Sequence, residues 1–133
     1  MDSETNAFSV DIEDWFQVSD FEVVIGLGWW EERESRLERN TDRILGLLAD
    51  ASVRGTFFVL TWNAERHPAV VRAIAAAGHE IACHGYAHRL IYDQTPEAFR
   101  ADVTRAKATL EDLTGAAVLG FRAPSLSITP RSE

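Results

Sequence analysis

Two histidines of this chain, His84 and His88, are spaced so that they could bind one metal ion. They lie four residues apart in the segment HEIACHGYAH, after the apolar run 81–83. On a helical turn, side chains at this spacing share one face, and two imidazoles on one face can bind the same cation. Pairs of solvated surface histidines have the same spacing. The pair therefore indicates a metal site only if a carboxylate joins it.

The acidic segment DIED, residues 11–14, is the candidate source of that carboxylate. The segment could instead be a solvated strand end or a helix cap. Two histidines and one carboxylate would leave coordination positions open for water, which is typical of a catalytic rather than a structural metal site. The residue types therefore favour metal-assisted chemistry if the fold brings the two segments together.

Asp11 and Arg122 form a second candidate pair. Asp11 lies inside an apolar run, where a carboxylate is costly to bury without a partner, and Arg122 follows another apolar run. A carboxylate beside a guanidinium stays ionised, as a general base must be before it takes a proton. The alternative is that Arg122 forms an ordinary surface ion pair, which contributes little to stability.

Four short apolar runs predict the strands that position these side chains. They cover residues 7–12, 55–60, 80–83 and 116–121. Near-continuous apolar runs of this kind are typical of strands covered on both faces, as in a parallel sheet. The carboxyl ends of parallel strands meet at one edge of the sheet. We therefore expect the acidic segment, the histidines and the arginine to converge at that edge.

Helical patterns separate the predicted strands. The first helix begins at either Ser35 or Asn40, the second begins at Pro68, and the third has Thr95 as its N-cap. The resulting order, β-α-β-α-β-α-β, predicts an α/β fold with a parallel sheet and right-handed crossovers.

The connection after the first strand, residues 15–34, is unusually long and rich in aromatic and acidic side chains. Long connections inside compact domains are often functional. Trp29 and Trp30 either form a platform for a sugar ring or pack within their own domain. The segment is therefore a candidate part of the site.

The composition indicates a single globular domain. The 133 residues carry a net charge of −8, from 13 basic and 21 acidic side chains, and 46% of them are apolar. Such a chain does not suit the phosphates of nucleic acid or an anionic membrane surface. No apolar run approaches the ~20 residues of a membrane span, and residues 1–10 lack the pattern of a secretory signal. We therefore expect a cytoplasmic protein with neither a nucleic-acid partner nor a membrane partner.

Several separated motifs resemble those of the polysaccharide deacetylase family, the NodB-homology group or carbohydrate esterase family 4. The motifs are SVDIEDWF, GTFFVL, AAAGHEIACHGYAH and GFRAPSLSI, between residues 7 and 129. They are most similar to the branch linked with exopolysaccharide loci of the exosortase type. The resemblance implies a distorted (β/α) barrel, of which this chain would supply about four parallel strands of the usual seven. Residues 1–133 would then be the amino-terminal part of such a domain.

The resemblance also implies a chemistry and a set of roles. The family removes N-acetyl or O-acetyl groups from sugars with a divalent metal, often zinc. Carried over by motif, His84 and His88 are similar to the two histidine ligands. Asp11 is similar to the catalytic base, and Arg122 is similar to the arginine that holds this base.

The carboxylate ligand is either Glu13 or Asp14. The commonest first motif of the family has two adjacent aspartates, whereas some branches have an aspartate-x-aspartate pattern, which would assign Glu13. Strand alternation puts Glu13 on the same face as Asp11 and favours it slightly. Pro124, from the arginine motif, and Tyr86, between the histidines, are the candidate substrate contacts.

The expected function is therefore metal-dependent removal of N-acetyl groups from a polysaccharide or oligosaccharide. The family's later motifs, including the general-acid histidine, have no counterpart here, so this chain is expected to be weakly active or inactive. One alternative is an amidohydrolase of a small non-peptide amide, and another is a non-catalytic remnant that binds metal or glycan. The open edges of a partial barrel also predict a homodimer.

Overall fold

Three short parallel strands form the centre of the fold. In the computed structural model, which describes residues 5–130 and 132, they are β1 (Ser9–Ile12), β2 (Thr56–Val59) and β3 (Glu80–Cys83). They lie in the order β1-β2-β3, and β1 pairs only with β2 within the described residues. The predicted parallel α/β architecture is confirmed, and it corresponds to part of a (β/α) barrel.

The fourth predicted strand, residues 116–121, is wrong. This segment contacts β3 through a single bridge between Cys83 and Phe121. Helix side chains take the polar backbone groups that a ladder would need: Glu111 accepts from the amide of Val118 at 2.9 Å, and Lys107 donates to its carbonyl oxygen at 3.2 Å. The segment therefore follows the sheet edge without becoming a strand.

Within the described residues, four α-helices pack around the sheet. The first begins at Leu37, between the two predicted starts, because the amide of the preceding residue, Arg36, is bound by the carboxylate of Asp14 at 3.1 Å. Ser35 contributes a weaker contact, accepting from the amide of Leu37 at 3.2 Å. The helices are α1 (Leu37–Ala51), α2 (Thr61–Arg66), α3 (Pro68–Ala76) and α4 (Pro96–Thr114). Short 3-10 helices cover Ser19–Phe21, Leu27–Glu32, Ile91–Asp93 and Pro124–Leu126.

The predicted starts of α3 and α4 are confirmed. Pro68 occupies the start of α3, where its missing N–H costs no hydrogen bond. The hydroxyl of Thr95 accepts from the amide of Ala98 at 3.2 Å and caps α4. Gly115 ends α4 in the left-handed region, with φ of 69°.

A membrane span needs a long apolar helix, and the described residues form no helix that meets both requirements. The expectation about residues 1–10 falls partly outside the described residues.

In the described part of the chain, two apolar clusters hold these elements together. The larger one lies between the sheet and helices α1, α3 and α4, and includes the fully buried Phe57, Val59, Ile74 and Leu110. The smaller one consists of Phe16, Trp30 and Trp62 and packs the connection after β1 against α2. The connection is therefore anchored beside the carboxyl ends of the strands.

Candidate metal centre

Three side chains from two strand ends point at a common centre. Glu13 directly follows β1, and His84 directly follows β3. Oε2 of Glu13 lies 3.6 Å from Nε2 of His84 and 3.0 Å from Nε2 of His88. One ligand atom from each residue lies within 4.8 Å of the others, and the described residues contain no second such group of three. These are nitrogen and oxygen ligands of the kind that hold zinc.

The cluster is buried and its carboxylate lacks a hydrogen bond. His84 is 1% exposed and His88 is 7% exposed. Oε2 of Glu13 is buried and has no hydrogen-bond partner of acceptable geometry among the described residues. Burial acts to raise the pKa of Glu13, but the imidazoles of His84 and His88 outweigh it and lower this pKa to about 2. An ionised oxygen that faces two imidazole nitrogens is suited to a cation, so the residues present fit a metal ion.

Backbone and hydroxyl groups orient the two imidazoles. Nδ1 of His84 lies 2.8 Å from the carbonyl oxygen of Arg122. Because a carbonyl oxygen only accepts, Nδ1 carries a proton, so in the neutral imidazole the lone pair of Nε2 is directed at the centre. Nδ1 of His88 lies 3.3 Å from the hydroxyl of Ser19, which can donate or accept. Partners of this kind on the second ring nitrogen are usual for metal-binding histidines.

Asp11 and Arg122 form an ion pair next to this cluster. Nη1 of Arg122 donates to Oδ1 of Asp11 at 2.6 Å, and Nη2 donates to the hydroxyl of Ser9 at 2.7 Å. The guanidinium lies over the ring of Phe58, 4.0 Å from its centroid. The other carboxylate oxygen of Asp11 lies 3.9 Å from Nε2 of His84. Asp11 is thus held beside the cluster with one oxygen directed toward it.

A cavity of about 180 Å³ opens over these groups. Its walls are the cluster itself, the Asp11–Arg122 pair, and apolar or hydroxyl side chains of two loops. The residues that line it are Asp11, Glu13, Val18, His84, His88, Arg122, Ala123, Ser125 and Leu126. A ligand in this cavity would contact the cation site and the carboxylate of Asp11 at the same time.

Comparison with known proteins identifies the fold family. The family model described as polysaccharide deacetylase matches residues 28–133, a stretch that includes both histidines and Arg122. The chain belongs to the polysaccharide deacetylase family. Glu13 and Asp11 precede the matched stretch, so their place in the site comes from the geometry above.

Relatives of the family cover this chain in part. A peptidoglycan-N-acetylglucosamine deacetylase of Bacillus cereus is 34% identical over 84 residues, covering 63% of this chain and 30% of that protein. A chitooligosaccharide deacetylase of Rhizobium leguminosarum bv. trifolii is 46% identical over 48 residues, 36% of this chain and 22% of that protein. The chain thus spans about a third or less of the length of these two relatives.

Solved structures of the family share the fold. A crystal structure described as a polysaccharide deacetylase from Mycobacterium smegmatis superposes with a TM-score of 0.73 at 34% identity, covering 89% of this chain and 42% of that one. A carbohydrate esterase family 4 pseudoenzyme from Bacillus anthracis has a TM-score of 0.67 at 23% identity, covering 71% of this chain and 34% of that one. The second likeness shows the fold alone. The chemistry of this deacetylase-family chain therefore has to be argued from its own residues.

The sequence left open whether Glu13 or Asp14 is the carboxylate ligand, and the structure distinguishes the two. Glu13 belongs to the cluster, whereas Asp14 is directed at the start of α1. The carboxylate of Asp14 accepts from the backbone amides of Trp15 and Arg36 at 3.2 and 3.1 Å. Its own amide donates to Oε1 of Gln17 at 2.6 Å. The structure does not bring Asp14 to the histidines.

Neither candidate substrate contact lines the cavity over the cluster. The phenol of Tyr86 lies 3.4 Å from Oε2 of Glu65, and the guanidinium of Arg105 covers its ring at 4.2 Å from the centroid. Pro124 is buried, and the two residues after it, Ser125 and Leu126, line the cavity instead. The assignment of Tyr86 as a substrate contact is therefore not supported, and the arginine motif reaches the cavity through its later residues.

The histidines lie on an irregular loop, not on a helical turn. Gly85 and His88 both have positive φ, 76° and 53°, whereas the residues of a right-handed α-helix all have negative φ. The two rings nevertheless approach edge to face, with centroids 5.4 Å apart. The sequence offered two interpretations of the spacing, a metal-binding pair on a helical turn and a solvated pair, and both assumed a helical backbone. The backbone here is an irregular loop, and its conformation brings the two rings together.

Helix α2, which was not predicted from the sequence, supports this loop through backbone hydrogen bonds. The first amides of α2 are free of intrahelical partners, and two of them donate to the loop: Thr61 to the carbonyl of Gly85 at 3.0 Å, and Trp62 to that of Tyr86 at 3.1 Å. On the other side, Oδ2 of Asp102 accepts from the amide of Tyr86 at 3.2 Å. Burial raises the pKa of Asp102. The sequence TWNAER directly after β2 carried no periodicity long enough to predict a helix of six residues.

Proposed function

We propose that this chain binds a divalent cation, zinc in the first instance, through Glu13, His84 and His88 and hydrolyses N-acetyl groups of a glycan. The observation that carries the proposal is the buried cluster in which Oε2 of Glu13 has no hydrogen bond and faces two imidazole nitrogens. Mixed imidazole and carboxylate ligands suit zinc. When bound, such a cation supplies Lewis-acid stabilisation of the negative charge that develops on the amide oxygen.

Asp11 is the general base of the proposed reaction. It accepts a proton from the water that attacks the acetyl carbonyl carbon, and the ion pair with Arg122 holds it in place for that step. Arg122 is a positioning residue, because its contacts with Ser9 and Phe58 fix the guanidinium and thereby the carboxylate. One oxygen of Asp11 faces the cluster, so the base and the cation site line the same small cavity.

The reaction is complete only when the leaving amine gains a proton. The carbon–nitrogen bond breaks, the acyl group leaves as acetate, and the nitrogen takes one hydrogen. Among the described residues that line the cavity, only Asp11 is an acid outside the cation cluster. It would have to return the proton it accepted, so we expect slow turnover, since an acid–base group contributes typically ~10²–10⁴-fold in rate.

An N-acetylated amino sugar is the proposed substrate class. The relatives named above are described as acting on peptidoglycan N-acetylglucosamine and on chitooligosaccharides. The cavity over the cluster is open and small, so it suits an acetamide group presented by a larger molecule that stays outside. A small cyclic amide would contact little beyond the cavity itself.

The proposal is tested by acetate release. Chitooligosaccharides and allantoin-like amides are incubated with zinc-loaded protein, with chelator-treated protein and with the Asp11→Asn variant. We expect acetate from the oligosaccharides with the zinc-loaded protein only. Ring opening of the small cyclic amides, detected by chromatography of the carboxylate product, without acetate from the sugars would favour the amidohydrolase alternative.

A second candidate is a domain that binds metal and glycan without turnover. The absence of a further acid among the described cavity-lining residues favours it. The same experiment decides, because glycan binding without any acetate release after long incubation contradicts the enzymatic proposal.

We also propose that the chain forms a homodimer. β1 is an open edge of the sheet within the described residues, and large apolar side chains are exposed near both edges, including Phe8 and Leu119 at 44% and 86%. Open edges and apolar patches favour pairing with a second copy. Light scattering coupled to gel filtration is the test, and a monomer at high micromolar concentration would contradict the proposal.

A further inference from the structure

A buried pair of amide side chains joins the connection after β1 to helix α2. Gln17 and Asn63 are each 2% exposed, and neither is one of the three proposed cation ligands. Nε2 of Gln17 donates to Oδ1 of Asn63 at 2.8 Å, and Nδ2 of Asn63 donates to Oε1 of Gln17 at 2.7 Å. Burial of an amide costs free energy unless its hydrogen bonds are made, and here each amide satisfies the other. We call this reciprocal pair the amide bridge.

Backbone groups fix the orientation of both amides. Oε1 of Gln17 also accepts from the backbone amide of Asp14 at 2.6 Å, and because that amide only donates, the atom facing it is the oxygen. Nδ2 of Asn63 also donates to the carbonyl oxygen of Ile12 at 3.2 Å, and because a carbonyl only accepts, the atom facing it is the nitrogen. The amide bridge therefore binds the residue before Glu13 and the residue after it.

The same helix holds the segment between the two histidines. The amide of Thr61 donates to the carbonyl oxygen of Gly85 at 3.0 Å, and the hydroxyl of Thr61 donates to the same oxygen at 3.3 Å. The amide of Trp62 donates to the carbonyl oxygen of Tyr86 at 3.1 Å. Asn63 directly follows these two residues. Three consecutive residues of α2 thus hold the segments that carry all three proposed ligands.

We propose that Gln17 and Asn63 are positioning residues that set the distance between Glu13 and the two histidines. Glu13 follows β1 and His84 follows β3, and β2 separates these strands in the sheet. The amide bridge adds a link through α2, and Oε2 of Glu13 lies 3.6 and 3.0 Å from the two imidazole nitrogens. The inference rests on the proposed function, because this distance has a use only where a cation is bound.

The test compares zinc affinity with stability in variants of the amide bridge. Asn63→Leu and Gln17→Met keep most of the side-chain volume and remove the hydrogen bonds of the bridge. Each should weaken zinc binding, measured by calorimetry, about three- to tenfold, because the groups behind metal ligands control how well the ligands are oriented. The double variant should bind zinc no more than about tenfold more weakly than the wild type, since both single changes break the same bridge.

The matched control is Ile74→Val or Ile74→Ala, whichever has the urea midpoint of Asn63→Leu. Ile74 on α3 is fully buried in the larger apolar cluster, and its side chain has no group that could form a hydrogen bond. The control should bind zinc like the wild type. If Asn63→Leu does not fold, Gln17→Met replaces it in every comparison, because it leaves the bond between Asn63 and Ile12 in place.

Two spectroscopic measurements report the arrangement of the ligands itself. Cobalt in place of zinc absorbs visible light according to its coordination geometry, so the cobalt spectrum of Asn63→Leu should differ from that of the wild type. In metal-free protein, the ring C–H resonances of His84 and His88 should shift in Asn63→Leu, since Glu13 moves relative to the rings. The Ile74 control should change neither the cobalt spectrum nor these resonances, although it is equally destabilised.

The outcomes separate this inference from the proposed function. Zinc affinities and cobalt spectra of the bridge variants equal to those of the matched control would overturn the inference and leave the proposed cation site standing. If the wild type binds no zinc, the proposed function is wrong, and the ring resonances decide alone. A shift in Asn63→Leu without a shift in the control then supports the positioning role, and unshifted resonances overturn it.

Discussion

Arg122 holds both halves of the candidate site, since its carbonyl oxygen lies 2.8 Å from Nδ1 of His84 and its guanidinium lies 2.6 Å from Asp11. The backbone contact orients a proposed cation ligand, and the side-chain contact orients the proposed base. The two functions can therefore be separated by mutation, because truncating the side chain leaves the carbonyl in place.

Arg122→Ala should impair turnover without removing the metal. Loss of the guanidinium frees Asp11 to rotate away from the attacking water, and misplacement of a base lowers the rate by at least about tenfold. Zinc affinity should stay within about threefold, since His84 keeps its carbonyl partner. Acetate release and calorimetric zinc titration of the same preparation measure both effects. A parallel loss of zinc binding would show that the side chain supports the ligands as well.

Asp11→Asn should remove most of the activity and leave the zinc affinity nearly intact. The amide is almost isosteric with the carboxylate and cannot accept the proton of the attacking water, so the rate should fall by about 10²–10⁴-fold. The comparison variant is His84→Ala, which removes a proposed ligand. If Asp11→Asn loses zinc as badly as His84→Ala does, Asp11 is itself a ligand and the proposed division of roles is wrong.

Glu13 and Asp14 should behave differently although they are adjacent in sequence. Glu13→Gln removes the charge of a proposed ligand and should weaken zinc binding by about tenfold or more. Asp14→Ala should leave zinc binding unchanged and lower the free energy of unfolding by about 1–3 kcal/mol, because the amides of Trp15 and Arg36 lose their acceptor. Calorimetry and urea unfolding read the two effects. The reverse pattern would transfer the ligand role to Asp14.

Much of this site could be predicted from residue order alone. Asp11 lies near the end of β1, Glu13 and His84 directly follow β1 and β3, and the carboxyl ends of such strands share an edge. Arg122 directly follows Phe121, which bridges to the last residue of β3. The predicted meeting of these side chains does not depend on the conformation of any loop. The prediction therefore holds although the fourth segment, residues 116–121, is not a strand.

The rest depended on contacts between distant residues that no local pattern reveals. Val118 gives its backbone groups to α4 and not to a sheet ladder. Asp14 is an acceptor for the start of α1, a role that only the folded position of Arg36 defines. The loop between the histidines has positive φ at Gly85 and at His88, so a helical spacing could not describe it.

Gly85 and Asp102 should be energetically coupled through the loop between the histidines. A Cβ atom on residue 85 would lie 3.0 Å from Oδ2 of Asp102, at a backbone φ of 76° that side chains disfavour. Gly85→Ala should therefore lower the free energy of unfolding by about 1–3 kcal/mol. Asp102→Ala removes the close contact, so the double variant should be more stable than the sum of the single effects by at least about 0.5 kcal/mol.

Urea unfolding of the wild type, Gly85→Ala, Asp102→Ala and the double variant measures the coupling. Additive effects would show that the loop adjusts without strain and that Asp102 does not constrain it. Zinc titration of the Asp102→Ala variant adds a readout of the site itself, since a loop that loses its support at Tyr86 should hold His84 and His88 less well.

Zinc titration of the purified protein by calorimetry tests the central claim most directly. The wild type should bind one zinc ion per chain, and the His84→Ala, His88→Ala double variant should lose this binding while keeping its fold by circular dichroism. A His67→Ala, His79→Ala double variant is the matched control, because these histidines lie outside the cluster, and it should bind zinc like the wild type. Zinc binding by the His84→Ala, His88→Ala variant equal to that of the wild type would contradict the assignment of the metal centre.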